Sequence, residues 1–357
     1  MSKRQRSDRH DGANRWRHGQ KHLYLVLDDW EKGYSIHEVD DHAFENSVGT
    51  ELELAPVLRL EAPRGVLIGA LGSKVVALWQ PTAASRAVAY DTRTAGLAVG
   101  PPLPDALQTM RFVVAAGKKL YAVHEGGVHC LDLDAGEHQW AWTRASSSPL
   151  RLPGCDQDGP VEITSYAVHP DGRTIFVSAH AKGRGPGNAY AGTFSLDTGG
   201  DGDAGWTRRG EWLLPFLGQG HYDADLDAWV GLHSRRYMCT CDVPAPLADV
   251  CSGDDDHDAP APPQPTWELV GATSLFSADP DPRRGDSAAS LVNMGSGEFC
   301  VVEALLATGE YVQLRLTRFR FERDRHGRLR ASSRHGGALS RIVRKLDPLF
   351  SPRAFCI

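Results

Sequence analysis

Between Lys21 and about Arg334 the chain repeats one local pattern: an apolar run, a Gly-containing turn, a second apolar run, then an acidic or Thr/Gly turn and a third run alternating apolar with polar. Short runs rich in Val, Ile, Tyr and Phe, bounded by Gly, Pro and Asp, read as strands. Residues 110–143 show the pattern most fully. Phe112-Val113-Val114-Ala115, Leu120-Tyr121-Ala122-Val123, Val128-His129-Cys130-Leu131-Asp132 and Gln139-Trp140-Ala141-Trp142 are separated by turns at Gly117, Gly126-Gly127 and Asp134-Ala135-Gly136. Four strands in one meander are predicted.

The preceding segment reads the same way, through Val66-Leu67-Ile68-Gly69, Val75-Val76-Ala77-Leu78-Trp79, Arg86 to Asp91 and Leu97-Ala98-Val99. Ile163 to Val168, Thr174 to Ser178, Ala191 to Asp197 and Trp206 repeat it with a longer internal loop, and further units run from Gly220 to about Leu269 and from Ala288 to about Arg334. An opening unit spans His22 to Leu60. Six units are thus expected, starting near residues 22, 66, 110, 163, 220 and 288; five or seven follow if the first or last is split differently. Four strands recurring at ~40–50 residues predict a β-propeller, because a lone four-stranded sheet cannot bury both faces and must lean on neighbours around an axis. The wider later intervals have visible causes. Gly183 to Asn188 and Asp197 to Gly205 are Gly-rich loops, and 253–265, with Asp254-Asp255-Asp256 and a run of prolines, is an acidic Pro-rich insertion.

The run Tyr311 to Phe321 breaks the alternation: Leu314 and Leu316 share one parity, Phe319 and Phe321 the other. A β-bulge at Thr317-Arg318 is expected to restore one apolar face and to leave the arginines pointing to water. The segment after His326-Gly327 is too irregular to assign and is left to close the ring.

At 357 residues, 41% hydrophobic and 24% charged, with 37 Gly and 22 Pro, the chain is neither collagen, coiled coil nor wholly disordered. The first twenty residues hold no apolar run, and stretches such as Phe112 to Ala116 fall far short of the ~20 residues needed to cross a bilayer. A soluble protein of the cytoplasm or nucleus is expected. Seven scattered cysteines, an odd number in a chain this long, fit reduced thiols.

The net charge of −6 conceals a segregation. Residues 1–21 carry seven Lys and Arg against Asp8 and Asp11, and residues 315–353 carry twelve against Glu322, Asp324 and Asp347, so the body between is strongly acidic. Basic ends on an acidic body either meet nucleic acid or lie against their own chain, and the second reading is favoured because no recognition motif accompanies the charge. The Lys3-Arg4-Gln5-Arg6 run is also of the kind read by nuclear import.

Candidate chemistry is sparse. Cys239-x-Cys241, with Cys251, His233 and His257 nearby, offers soft ligands at the wrong spacing for a zinc pair; alternate strand positions place both thiols on one face as buried free cysteines. Gly183-Arg184-Gly185-Pro186-Gly187 lacks the Lys-Ser/Thr ending of a P-loop. Met294-Gly295-Ser296-Gly297 fails the spacing of a nucleophile elbow, and His169-Pro170-Asp171-Gly172 reads as a hairpin turn. Trp79, Trp140, Trp206, Trp229 and Trp267 recur about once per unit and are expected as core wedges between sheets. Trp212, Leu214 and Phe216 around Pro215 read as a strand leaving one blade for the next.

Gly210-Glu211-Trp212-Leu213-Leu214-Pro215-Phe216, with Gly218-Gln219, Tyr222, Leu226 to Leu232 and Cys239-Thr240-Cys241-Asp242, resembles the centre of a grass-plant family of rice and maize, the domain of unknown function 1668 family. The resemblance extends from Leu23 to about Phe355. It implies a kelch-like propeller in a plant protein of unknown activity, with no established catalytic residues; no F-box helix precedes the first unit.

The combined expectation is an all-β protein: a basic, disordered tail at 1–21 and a single β-propeller domain of kelch-like four-stranded blades at 22–357, carrying the insertion at 253–265. Its expected role is a non-enzymatic interaction scaffold, monomeric and without cofactor, that holds a protein partner through blade loops and binds neither nucleic acid nor membrane. No residue is assigned as catalytic, cofactor-binding or metal-ligating. Two other readings stand beside it: a propeller enzyme acting on a small molecule or glycan in the axial channel, and a nuclear protein using its arginine-rich ends on nucleic acid.

Overall fold

A computed structural model describes residues 22–40, 44, 54–79, 85–133, 139–152, 161–182, 189–200, 204–246, 263–270, 275–276, 288–332, 339–347 and 350–357. The tail at 1–21, the loop Gly183 to Asn188 and residues 253–262 of the insertion lie outside them. Strands β1 (Leu23–Trp30), β2 (Gly33–Val39) and β3 (Pro56–Glu61) form an antiparallel sheet. Three meanders follow in chain order: β4 (Leu67–Leu71) to β7 (Gly96–Pro102) through β5 (Lys74–Leu78) and β6 (Arg86–Asp91); β8 (Met110–Ala116), β9 (Lys119–His124), β10 (Gly127–Asp132) and β11 (Trp142–Ser146); and β12 (Val161–Val168), β13 (Thr174–Lys182), β14 (Ala189–Asp197) and β15 (Thr207–Gly210). The next comprises β16 (Leu217–Asp223), β17 (Ala228–His233), β18 (Tyr237–Asp242) and β19 (Trp267–Val270). Strands β20 (Ala288–Gly295), β21 (Glu298–Thr308), β22 (Tyr311–Arg323) and β23 (Leu329–Ser332) form the last, with β24 (Leu339–Arg344) also on β22.

The chain's end returns to its beginning. β25 (Arg353–Cys356) pairs antiparallel with β1, from Leu23↔Cys356 to Val26↔Arg353, and completes that sheet as its first strand. His22 and Ile357 exchange backbone hydrogen bonds of 2.8 and 2.9 Å beside it.

Side-chain parity in the second strands explains why these runs are apolar throughout rather than alternating. On β1, Leu23, Leu25 and Leu27 pack with Val302 and Leu314 of the last sheet, whereas Tyr24 and Val26 pack with Val75 and Ala77 of the next. Val76 and Leu78 then meet Leu120 and Ala122. Tyr121 and Val123 meet Ile175 and Val177, and Phe176 meets Trp229. Val230 and Leu232 meet Phe299 and Val301, whose neighbours Cys300 and Val302 face β1 again. Each sheet therefore buries one face on its predecessor and the other on its successor until the circle closes. Each fully buried Val, Leu or Ile contributes about 1.5–3 kcal/mol, so no sheet stands well without both neighbours. The fold is an all-β propeller.

Several details correct the sequence reading. No bulge occurs at Thr317-Arg318: β21 and β22 stay in register from Glu298↔Arg320 to Leu306↔Val312. The parity change has another cause, because Leu314 and Leu316 pack toward β1 while Phe319 and Phe321 pack toward β17 and β18. Nor do the strand's arginines simply point to water. Arg315 and Arg236 pair with the buried Glu303, and Arg318 and Arg320 with Glu298. The fourth strand of the third sheet starts at Trp142 rather than Gln139; Trp140 precedes it as a buried plug whose indole N–H donates to Leu133 O at 3.3 Å. Residues 212–216 are a connector, not a strand. Trp229 is fully buried, but Trp267 sits on an outer edge strand at 40% exposure and stacks on His233, because outer strands lack a covering neighbour.

Candidate functional site

The first strands, β25, β4, β8, β12, β16 and β20, surround a channel along the axis with a volume of about 280 Å³. It adjoins a cavity of about 640 Å³ where β8, β12, β16 and β25 begin, lined by Arg111, Phe112, Tyr166, His180, Gly218 and Arg353 among others. Residues from separate sheets thus converge at one mouth, because each sheet starts its first strand at the same end.

The wall between β12 and β16 is built most tightly. These strands pair in parallel, with Ser165↔Gly218, Tyr166↔Gln219 and Ala167↔Gly220. Gly218 adopts φ +67°, a left-handed backbone that a side chain would strain. Behind it Phe216 fills the space that Cβ atoms on Gly220 and Gly231 would need. Trp229 completes the seam by donating its indole N–H to Val168 O at 3.0 Å. Much of the stretch that carries the family resemblance is therefore packing that shapes this wall.

At the mouth the Tyr166 ring stacks on Phe112, with centroids 4.2 Å apart and planes 18° from parallel. Burial raises the Tyr166 phenol above its ordinary value, with Arg353 pulling the other way, so the phenol stays protonated at neutral pH. Arg111 pairs with Glu125, and His180 lies 3.3 Å from Glu162. Deeper in the channel His221 Nε2 donates to Leu291 O at 2.9 Å. Enclosure pushes its pKa down to about 4, against the opposing pull of that carbonyl, and the ring is neutral at pH 7. These groups can orient a ligand by ion pairing, stacking and hydrogen bonding.

The candidates weighed from sequence lie elsewhere. Cys239 and Cys241 are buried in the seam beside Trp229, where burial pushes both thiols up to about 12. His233 stands against Trp267 instead, and Cys251 and His257 lie outside the described residues. Among the described residues no cluster of three His, Cys, Asp or Glu is placed to hold a metal ion. His169 to Gly172 is a hairpin turn: Gly172 N donates to His169 O, and the Asp171 carboxylate accepts from the amides of Arg173 and Thr174 and from the Thr174 hydroxyl. Met294 to Gly297 is the turn between β20 and β21, with positive φ at Gly295, Ser296 and Gly297. Arg111, Tyr166, His221 and Arg353, on first strands, and His180, on β13, escaped the sequence reading, because what brings them together is their position in the ring and not a local motif.

A closed ring of four-stranded sheets with an open axial mouth defines the class, a β-propeller with a candidate binding cavity. The chain belongs to the family described as protein of unknown function (DUF1668), whose profile matches residues 20–337. No curated protein matches its sequence. Solved structures similar to it include TolB from Acinetobacter baumannii, at 14% identity and TM-score 0.44 over 91% of this chain and 67% of that one. A putative 6-phosphogluconolactonase from Bacteroides fragilis follows at 12% and 0.42, covering 94% and 98%. The periplasmic gluconolactonase of Pseudomonas aeruginosa matches at 13% and 0.38, covering 91% and 99%. Likenesses this distant carry nothing about activity. Among the described residues no helix is long and apolar enough to cross a membrane.

Proposed function

We propose that the protein is a non-catalytic interaction scaffold, a single six-bladed, kelch-like ring that receives a segment of a protein partner at the axial mouth and through the loops around it. The observation that supports this reading is the cavity of about 640 Å³ at the open end of the axis, whose charged and aromatic lining comes from several sheets held rigid by their neighbours. Rigid strands presenting variable loops are how such scaffolds acquire specificity. The count of six is supported by the first strands that ring the channel. The pairing of Arg315 with Glu303 and of Arg318 and Arg320 with Glu298 favours a C-terminal basic segment that lies on its own body over one that tracks nucleic acid.

Affinity capture with the full chain and with a Tyr166→Ala/Arg111→Ala variant tests the reading. A protein held stoichiometrically by the wild type and lost by the variant is expected. A partner held equally by both moves the binding face off the mouth, and the absence of any stoichiometric partner refutes the scaffold role.

A further inference from the structure

One cation at the mouth, Arg353, has no ion-pair partner among the described residues. Arg353 opens β25, with its backbone fixed opposite Val26 and its side chain exposed in the cavity. Of the other charged groups of the lining, Arg111 pairs with Glu125, and Glu162 lies 3.3 Å from His180, an ion pair only when that imidazole is protonated. Arg353 shares the cavity lining with Tyr166. The half-buried Tyr166 ring, backed on one face by the buried Phe112, offers an aromatic surface in the same cavity.

We propose that the mouth recognises an acidic segment of a protein partner, one carboxylate pairing with Arg353 while an adjoining side chain lies against the Tyr166 ring. The inference rests on the scaffold reading above. A carboxylate fits for two reasons. The planar guanidinium fork matches its two oxygens, and one free cation balances one negative charge. A phosphate near its second ionisation calls for a second free cation, whereas Arg111 is already engaged with Glu125. Because Arg353 begins the strand that closes the ring on β1, an occupant also restrains that closure.

The test pans a random octapeptide library, including phosphoserine members, against the full-length chain. Retained peptides are expected to be enriched in Asp and Glu. Replacing the acid by its amide in the best peptide, or Arg353→Ala in the protein, is expected to weaken binding about 10- to 100-fold, the range of a charge-assisted hydrogen bond. Arg353→Lys keeps part of the affinity, and bound peptide slows amide exchange at residues 354–356. An unchanged thermal midpoint in Arg353→Ala shows that the ring still closes; if it falls, the peptide's own acid-to-amide comparison on the wild type still decides. Retained peptides without acidic preference, acidic preference that survives Arg353→Ala in a folded ring, or at least tenfold tighter binding of phosphoserine than glutamate overturns this inference and leaves the scaffold reading standing. A wild-type chain that retains no peptide overturns both.

Discussion

Acid should loosen this ring well before its carboxylates titrate, and the reason is a buried histidine pair. His124 and His129 flank the hairpin between β9 and β10, with His124 Nε2 and His129 Nδ1 2.9 Å apart. The amide of Gly126 donates to His124 Nδ1 at 3.1 Å, so the His124 proton sits on Nε2 and is donated to His129 Nδ1, which places the His129 proton on its own Nε2. Both rings are neutral in this arrangement. Burial first, then repulsion from His129 and Arg144, pushes the pKa of His124 from 6.5 down to about 4, and the ring is only 4% exposed. Burial and Arg144 also lower His129.

A histidine depressed in the folded state contributes stability that is complete above its unfolded pKa and is lost as pH falls toward the folded value. For His124 the full contribution is about 3 kcal/mol, of which about 2 kcal/mol disappears between pH 7 and pH 5. His221, also near 4, adds a loss of similar size. Asp91, Asp171 and Glu298, held below their ordinary range, titrate under this window, and Asp28, raised above its own, works in the opposite direction. Urea denaturation at pH 7, 6 and 5 measures the slope, and His124→Gln should remove about 2 kcal/mol of it. A flat profile in the wild type, or the same slope in the variant, refutes the reasoning.

Other expectations follow from the same contacts. Glu303 is fully buried between Arg236 and Arg315, so Glu303→Ala removes the buried carboxylate that both guanidinium groups share and should destabilise by about 3–5 kcal/mol in chemical denaturation. Gly231→Ala drives a methyl into Phe216 and should cost about 1–3 kcal/mol, read as a lower thermal midpoint, whereas Gly72→Ala, with open space around it, should cost less despite its φ of +59°. Cys239, Cys241 and Cys300, buried with thiols pushed up to about 12, should resist iodoacetamide at pH 8 in native protein and react on unfolding, as peptide mapping would reveal.

The strands and their meander order were legible in the sequence, because apolar runs such as Leu120 to Val123 and Gly-containing turns are local signals. So was the burial of Cys239 and Cys241, which follows from alternate positions on one strand. The parity change across Leu316 and Phe319 was visible but misread: local sequence cannot say that both faces of a strand are covered by different neighbours, so a bulge was the only local remedy. Trp267 was misplaced for a related reason, since residue type does not reveal whether its strand lies at the outer edge. Arginine counts likewise revealed a basic segment but not the acids on the adjacent strand that neutralise it.

The mouth was beyond local reading altogether. Arg111, Tyr166 and Arg353 are far apart along the chain, and their convergence depends on the common direction of the first strands and on β25 returning to β1. Strand formation is settled over a few residues by side-chain shape and hydrophobicity, whereas a cavity exists only once sheets separated by hundreds of residues bury their faces on one another and leave the axis open.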